Sequence, residues 1–502
     1  MLQVTQYSGI FIVFKKGGVI MHNGYRFRLY PTPEQTQILL RWIGCQRVIY
    51  NAKVSEDRYF RKFRQHQIDL IGAPIPIDQG YSHYIGESTG WLKDVPSQLL
   101  RNGAVLWKQA YARYFEGLGG RPTYHSKRGE QSVWLTSELF HFEPAVDQET
   151  GEILGHKLFV GTKKKFFVGE LVFKAHREYV PPVSIHISVH AGKWYVAFSA
   201  EDGTIQSFQE ETILASFQGM SEQKLEAITV GADRGVAKPL VASNGKIYDL
   251  SDIQKERIQK ERTQKKKWQH KAAKRKKDSK NQRKAYQKAA RYQQYEANVR
   301  RDFAHKTSHD LVSCSNAKII VFEDLKIKNM TKRPKPKKDE KGQWTRNGAR
   351  AKAGLSRSIL ASAWGQIETF TKYKALRAGK ILIKVAPQYS SQTCAECDYV
   401  DAGNRPSQAE FHCLRCEHEE NADHNAARVI KKRGITKILE GYQPKEKKTV
   451  KIYKEKLGSE RSKVTPVENL VRRSGGNAAT QGSKKQEILL ATAGNPHSSA
   501  KR

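Results

Sequence analysis

The chain has 502 residues, 38% of them hydrophobic, so it is long enough for two or three folded domains and is not a disordered protein. Lys and Arg number 88 against 50 Asp and Glu, and the net charge of +38 predicts a polyanionic partner, most simply nucleic acid. No apolar run approaches the roughly eighteen residues that a bilayer span requires, so no membrane partner is predicted.

Four of the six cysteines fall in one short segment, whereas Cys45 and Cys314 lie far apart. This usage fits a reducing compartment, and together with the basic charge it predicts a cytoplasmic, nucleoid-associated protein. Residues 1–20 contain an apolar run without a preceding basic segment or a cleavage site, so no signal peptide is predicted. Because Met21 begins a more typical start, residues 1–20 are interpreted as an N-terminal extension.

The first predicted elements are a strand and a helix. Residues 25–30 alternate aromatic or apolar with basic residues, which indicates a strand with one exposed face. Thr32, Pro33 and Gln35 then form a capping box that starts a helix with a broad apolar stripe. The amphipathic segment 97–118 is the simplest partner for that stripe, so a helical lobe is predicted.

A mixture of basic and aromatic residues follows the helical lobe. It suits a phosphate backbone, although a solvated loop fits equally well. From residue 131 to 201 short alternating runs predict a β-barrel or sandwich, and the polar segment after it predicts a linker. The candidate nucleic-acid-binding residues of this part are Arg121, Tyr124, Lys127 and Arg128.

A second strand-rich unit opens at residue 228, and its first strand ends at Asp233. Residues 255–301 then carry 19 Lys or Arg against 4 Asp or Glu and no Pro or Gly, which predicts a long basic helix or a helical hairpin. A solvated helix face is the alternative, but this charge repels itself unless anions neutralise it, so nucleic acid is favoured. The candidate contacts are Lys265, Lys266, Lys267, Lys271, Lys274, Arg275, Lys276 and Lys277.

The run Ile319–Phe322 predicts a central strand covered on both faces, and Glu323 ends it. A carboxylate there needs a positive partner, which could be a divalent cation, a helix N-terminus or an arginine. Residues 331–354 predict a mobile basic loop, and a helix over 356–378 and a strand follow.

Cys394 and Cys397, then Cys413 and Cys416, form two C-x2-C pairs separated by fifteen residues. This spacing lets four thiolates surround one zinc ion, and a site filled by four cysteines is structural rather than catalytic. His412, His418 and His424 are therefore interpreted as surface or nucleic-acid-facing residues rather than ligands.

Asp423 lies in the first turn of a predicted amphipathic helix, so it joins Asp233 and Glu323 as a third acid at the end of an element. Three such carboxylates can hold two Mg²⁺ ions about 4 Å apart for phosphodiester hydrolysis. The alternative, three unrelated surface acids, stays equally open on the pattern alone.

Five segments together resemble the transposon-encoded TnpB proteins, the presumed ancestors of the miniature type V CRISPR effectors. They are GADRGVAKPLVASNG, VFEDLKIKNM, LSRSILASAWGQI, SSQTCAECDY and NADHNAARVI, and YRFRLYPTPEQ resembles the usual TnpB start. The resemblance implies that Asp233, Glu323 and Asp423 are the metal ligands and catalytic acids of a RuvC-like nuclease of RNase H fold. It also implies RNA-guided cleavage of DNA next to a short flanking motif.

The resemblance implies a multidomain α/β protein with a β-barrel. Its expected parts are an extension (1–20), the first barrel or wedge strand (21–31), a helical recognition lobe (32–130), the barrel (131–205), a linker (206–227), the RuvC-like domain (228–390) with its basic helical segment (255–301), a zinc-binding knuckle domain inserted for target nucleic acid (391–420), a final RuvC-like segment (421–435) and a disordered basic tail (436–502).

Two departures from the family pattern stand out. Glycine usually follows the second cysteine of each pair because that position favours a positive φ, but Asp398 and Glu417 occupy it here. The arginine that usually precedes the last acid is Ala422.

The leading hypothesis is a Mg²⁺-dependent, RNA-guided DNA endonuclease with two Mg²⁺ ions, one structural zinc ion, a guide RNA and a double-stranded DNA target, acting as a monomer or dimer per RNA. The alternatives are an RNA-guided DNA-binding regulator with weak or no catalysis and an RNA-independent, transposase-associated nuclease.

Overall fold

The computed structural model describes residues 3–7, 10–15, 18–71, 79–146, 153–162, 165–201, 208–313 and 316–442. Residues 24–200 form one compact unit, the N-terminal unit. The described residues up to 23 and from 201 onward form the other, the C-terminal unit. Cys314 and residues 443–502 of the predicted tail (436–502) lie outside the described residues, whereas residues 436–439 belong to a helix. Among the described helices, none combines the length and the apolar character that a membrane span requires.

The strands and helices are numbered separately in chain order. The strands are β1 Gln3–Tyr7, β2 Ile10–Lys15, β3 Gly18–Leu29, β4 Gln131–Thr136, β5 Phe140–Val146, β6 Ile153–Gly161, β7 Phe167–Leu171, β8 Phe173–Lys174, β9 Ser184–His190, β10 Lys193–Glu201, β11 Thr229–Asp233, β12 Leu240–Ala242, β13 Ile247–Tyr248, β14 Ile319–Glu323, β15 Lys337–Lys338, β16 Trp344–Thr345, β17 Ile381–Val385, β18 Glu410–His412 and β19 Glu419–Asn421. The helices are α1 Pro33–Ile71, α2 Ser97–Phe115, α3 Glu210–Ala215, α4 Glu222–Ala227, α5 Asp252–Ala273, α6 Lys280–Ser313, α7 Ile327–Met330, α8 Ala349–Ala361, α9 Trp364–Arg377 and α10 Ala422–Leu439.

The β-strands of the N-terminal unit form two sheets. One has the order β3-β10-β9-β4, with β8 also paired to β3, and the other has the order β5-β6-β7. Buried side chains of both sheets and of α1 and α2 share one hydrophobic core. The predicted strand at Tyr25 thus joins strands of the segment 131–201, and the described strands of this segment form two sheets that share a core. In the predicted extension, β1 pairs antiparallel with β2, and β2 pairs antiparallel with the start of β3.

The capping box predicted for α1 is confirmed. The backbone N–H of Thr32 donates to the side chain of Gln35 at 2.9 Å, and the backbone N–H of Gln35 donates to the Thr32 hydroxyl at 3.3 Å. The predicted packing of α1 on α2 is also confirmed, because a Cβ added at Gly103 of α2 would lie 2.7 Å from the carbonyl oxygen of Gln46 of α1. The helical lobe therefore begins and packs as its sequence predicts.

The main sheet of the C-terminal unit has the order β13-β12-β11-β14-β17, in which β11, β14 and β17 are parallel. Every residue of β14 is buried. Ile320 and Phe322 belong to the core shared with α6 and α9, whereas Ile319 and Val321 belong to the core shared with α10. This two-sided burial explains the continuous apolar run and confirms the predicted central strand.

The basic segment 255–301 adopts the hairpin form of the two predicted alternatives. Helices α5 and α6 pack against each other, and Gln282 closes the turn between them by donating to the carbonyl oxygen of Ala272 at 3.1 Å. Arg262 of α5 also pairs with Glu296 of α6 at 2.7 Å. The excess charge therefore lies on a paired helical scaffold.

Two predicted elements differ from the structure. The linker prediction for 206–227 is wrong for its described part, because this part contains α3 and α4, and Leu214 and Leu225 are buried in the core against the sheet. The helix predicted over 356–378 is two helices, α8 and α9, which break where Ala363 has a left-handed φ of 57°. The predicted loop 331–354 includes the hairpin β15-β16 and the start of α8.

Candidate active site

Two of the three predicted acids end neighbouring parallel strands. Asp233 is the last residue of β11 and Glu323 is the last residue of β14, and the preceding residues, Ala232 and Phe322, are direct partners. Because parallel strands end at the same edge of a sheet, the two carboxylates lie side by side. Asp233 is half-buried, and Glu323 is only 6% exposed.

The third acid reaches this edge because α10 lies unusually close to the sheet. A Cβ added at Gly231 of β11 would lie 2.2 Å from a backbone oxygen of α10, and one added at Gly434 of α10 would lie 2.3 Å from a valine of β14. These two glycines therefore permit the close packing. Asn421 caps the helix by accepting from the backbone N–H of Asp423 at 3.2 Å, which places Asp423 in its first turn.

The three acids influence one another electrostatically. Burial, together with the negative charges of Glu323 and Asp423, raises the pKa of Asp233 to about 7. Burial also raises the pKa of Glu323, against the hydrogen bond that it accepts from Ser390. Closely placed, partly desolvated carboxylates are hard oxygen ligands that a divalent cation stabilises. The chemistry of this donor set therefore fits Mg²⁺.

The spacing of the three acids is wider than that of the cysteines. Within the described part of the chain, the only group of three or more His, Cys, Asp or Glu side chains whose ligand atoms all lie within 4.8 Å of one another is the cysteine cluster. The structure thus brings Asp233, Glu323 and Asp423 to one end of the sheet, but their carboxylate oxygens do not all lie within 4.8 Å of one another.

Two arginines contact this site, and the sequence pattern did not reveal either one. A guanidinium nitrogen of Arg405 lies 3.7 Å from a carboxylate oxygen of Asp423. The fully buried guanidinium of Arg234 pairs with Glu368 at 2.8 Å and also donates to the backbone carbonyl of Glu323. The Glu323 carboxylate itself accepts a hydrogen bond from Ser390 at 2.6 Å. An arginine was one of the positive partners considered for Glu323, and Arg234 bonds to the backbone carbonyl of Glu323 rather than to its carboxylate.

The four predicted zinc ligands form one cluster. Sulfur atoms of Cys394 and Cys416 are 3.6 Å apart, as are those of Cys397 and Cys413, and all four lie within 4.8 Å of one another. The backbone N–H of Glu396 donates to Cys394, and that of Arg415 donates to Cys413, both at 3.4 Å. Four convergent sulfurs, two of which accept these backbone donors, fit a tetrahedral zinc ion.

The three nearby histidines make other contacts. His412 pairs with Glu419 at 2.9 Å, and His418 lies 3.4 Å from Glu420. His424 also pairs with Glu420, and its other ring nitrogen lies 3.2 Å from the carbonyl oxygen of Ser243. None of the three belongs to the sulfur cluster, which agrees with their interpretation as residues other than zinc ligands.

The two residues that replace glycine in the knuckles adopt the conformation that glycine favours. Asp398 has a φ of 58° and Glu417 a φ of 59°. A left-handed residue with a Cβ costs about 1–2 kcal/mol, so both knuckles carry backbone strain.

We expect Glu417→Gly to relieve this strain and tighten zinc binding, because folding of the knuckle and metal binding are coupled. A gain of about 1 kcal/mol corresponds to roughly fivefold higher affinity. Competition with a chromophoric chelator measures it. Glu419→Gly, in extended strand β19, is the control and should give no gain. Equal affinity of Glu417→Gly and the native chain would contradict the strain interpretation.

The predicted nucleic-acid-binding residues fall in both units. In the N-terminal unit Arg121, Tyr124, Lys127 and Arg128 are exposed, and Arg58 lies 4.2 Å over the Tyr124 ring. In the C-terminal unit the others occupy α5 and the turn after it. All of these are exposed except the half-buried Lys265: Lys266, Lys267, Lys271, Lys274, Arg275, Lys276 and Lys277.

Three family profiles match separate parts of the chain. A helix-turn-helix domain (HTH OrfB IS605) matches residues 21–58, a probable transposase (OrfB IS605) matches residues 208–334, and a Cas12f1-like TNB domain matches residues 364–430. An Escherichia coli (strain K12) protein named "Putative RNA-guided DNA endonuclease InsQ" is 29% identical over 415 residues, which cover 81% of this chain and 90% of that protein.

These similarities support assignment of the chain to the TnpB family. The transposase profile includes Asp233 and Glu323, and the TNB profile includes the cysteine cluster and Asp423. The CRISPR-associated endodeoxyribonuclease Cas12f1 of Sulfoacidibacillus thermotolerans is 54% identical over 67 residues, 13% of this chain and 16% of that protein. A solved Cas12f1-sgRNA-target DNA complex has a chain with a TM-score of 0.44 and 13% identity, covering 82% of this chain and 99% of that one.

Proposed function

We propose that this TnpB family member is an RNA-guided DNA endonuclease that hydrolyses phosphodiester bonds with Mg²⁺ held by Asp233, Glu323 and Asp423. The observation that carries the proposal is the convergence of two parallel strand ends and one helix start. There, burial raises the pKa values of Asp233 and Glu323, and the charges of Glu323 and Asp423 also raise that of Asp233. The printed name of the Escherichia coli relative, an RNA-guided DNA endonuclease, and that of the Cas12f1 relative, an endodeoxyribonuclease, support the same reaction.

The chemistry divides between the metal and the protein. Bound Mg²⁺ ions supply water activation and stabilise the charge that develops on the leaving oxygen. The protein supplies the carboxylate ligands, and burial of Glu323 keeps its oxygens away from bulk water. Arg405 supplies a positive charge beside Asp423, where it can approach a phosphate of the bound strand.

The hairpin of α5 and α6 is the proposed contact for the nucleic-acid backbone. Trp268 lies between two lysines, with the Lys271 ammonium 4.8 Å and the Lys288 ammonium 4.3 Å from its ring. Trp268 is half-buried, whereas Lys271 and Lys288 are exposed. Lysines in such an array bind phosphates regardless of sequence, whereas base pairing with a guide supplies the specificity.

The finer architecture follows the same proposal. The order β13-β12-β11-β14-β17 with three parallel strands supports an RNase H-like, RuvC-type domain. The two sheets of the N-terminal unit are assigned to the wedge barrel. The cysteine cluster is assigned one structural zinc ion, because its four ligands leave no open position.

Sequencing of copurifying RNA tests the guide requirement. We expect the purified chain to carry a defined RNA whose variable end programs cleavage. After reprogramming, the complex should cut a plasmid library only at matched targets beside one flanking motif, and only with Mg²⁺. The measurement is the sequence of the cut ends.

Each other outcome supports a different function. Guided binding without cutting would indicate a DNA-binding regulator. Cutting that persists after ribonuclease treatment and repurification would indicate an RNA-independent nuclease. A scrambled guide of equal length is the matched control, because it preserves charge and scaffold while removing complementarity.

A further inference from the structure

Residues 386–395, the bridging loop, connect β17 to the cysteine cluster and contact two elements that carry the acids. We propose that Ser390 is a positioning residue for the carboxylate site and that the bridging loop ties Glu323 to the helix of Asp423. This inference rests on the proposed function, since it assigns the acids a metal-binding role.

The central contact of the bridging loop is a buried hydrogen bond. The Ser390 hydroxyl lies 2.6 Å from one carboxylate oxygen of Glu323, and the two residues are 5% and 6% exposed. The same hydroxyl lies 3.1 Å from the carbonyl oxygen of Pro387. A hydroxyl has one proton, and the shorter contact to the charged acceptor is the stronger of the two. A donor on one carboxylate oxygen also fixes the direction of the other.

The far end of the bridging loop is bonded to α10 beside Asp423. Asn425 is fully buried and lies two residues after Asp423. Its side-chain oxygen accepts from the backbone N–H of Ala395 at 2.9 Å, and its side-chain nitrogen donates to the carbonyl oxygen of Thr393 at 2.8 Å. One amide therefore satisfies both a donor and an acceptor of the loop backbone.

The near end of the bridging loop is bonded to the same helix. The guanidinium of Arg433 donates to the carbonyl oxygens of Ala386 at 3.0 Å and Gln388 at 2.7 Å. The loop is thus held by α10 at both ends and by Glu323 in its middle.

These contacts make the loop a second connection between the acids. Packing of α10 on the sheet is the first, and it acts through the backbone. The bridging loop acts on the Glu323 side chain itself and continues directly into the ligand Cys394. Folding of the zinc knuckle therefore also restricts the Glu323 carboxylate, because one short segment contains both Ser390 and the first thiolate.

The test compares two adjacent serines in the full-length chain. Ser390→Ala removes the donor to Glu323, whereas Ser391→Ala is the matched control, since no side-chain hydrogen bond of Ser391 occurs among the described residues. The probe is Mn²⁺, titrated by electron paramagnetic resonance. We expect Ser390→Ala to bind Mn²⁺ about tenfold or more weakly and Ser391→Ala to bind it like the native chain. Both should keep the native zinc content.

An isosteric pair separates the hydrogen bond from packing. Ser390→Thr and Ser390→Val have the same shape, but only the threonine keeps the hydroxyl, so it should bind Mn²⁺ at least tenfold more tightly than the valine variant. This pair also decides the question if the alanine variant folds poorly. A purely structural role would affect both variants equally.

The outcomes distinguish this inference from the proposed function. Equal Mn²⁺ affinity of the alanine pair, or of the threonine and valine pair, would overturn the positioning role while leaving the carboxylate site intact. Mn²⁺ binding that is unaffected by Asp233→Asn would overturn the site itself, and the bridge with it.

Discussion

Replacing any one of the three acids should abolish guided DNA cleavage while leaving RNA binding intact. We expect Asp233→Ala, Glu323→Ala and Asp423→Ala each to lower the cleavage rate by on the order of a thousandfold or more, because each loses a metal ligand at the point where charge develops. RNA binding should persist, since the hairpin of α5 and α6 is unchanged. Single-turnover cleavage and RNA retention measured on the same samples check both statements.

Asp324→Asn is the matched control for Glu323→Ala. Asp324 directly follows Glu323, but its carboxylate pairs with Lys326 and with Lys384, the latter at 2.9 Å. Its loss should leave guided cleavage within a few-fold of the native rate. Full activity in any of the three acid variants would remove that residue from the proposed site.

Cys394→Ser should release the zinc ion and unfold the segment around it. Structural zinc contributes roughly 10–16 kcal/mol of apparent binding free energy in small domains, far more than the short strands β18 and β19 can replace. We expect zinc to fall from about one per chain to near zero and amide exchange to rise across residues 390–420. Elemental analysis and hydrogen exchange measure these changes.

Cys45→Ser controls for general thiol loss. Cys45 is buried in the hydrophobic core of the N-terminal unit, far along the chain from the cluster. This variant should keep the native zinc content. A zinc-free native chain, or native exchange at residues 390–420 after Cys394→Ser, would show that the knuckles fold without metal.

The parts of the fold predicted well are those with a local cause. The capping box depends on Thr32 and Gln35, three positions apart, so the sequence contains the whole motif. The central strand β14 requires apolar residues on both faces, which appears directly as a continuous run. The cysteine cluster follows from the spacing of its two pairs, and the positive φ at Asp398 and Glu417 agrees with a position that glycine usually occupies.

The parts missed depend on contacts between distant positions. Ser390 and Glu323 are 67 positions apart, and no pattern in either segment indicates that they meet. Arg405 lies in the knuckle segment, where a basic residue has many uses, so its approach to Asp423 carried no signal. Helices α3 and α4 have six residues each, too few for a helical repeat to stand out from a polar linker. The left-handed Ala363 has no sequence signature at all.

The two glycines under α10 have a mechanical consequence. The helix behaves as a stiff rod, and Gly434 lies eleven residues, or about 16 Å, from the Asp423 end. A methyl group added at Gly434 would push α10 away from β14. The resulting tilt of the helix would move Asp423, at its other end, away from the sheet edge. The alignment of an acid thus depends on two places where the chain has no side chain.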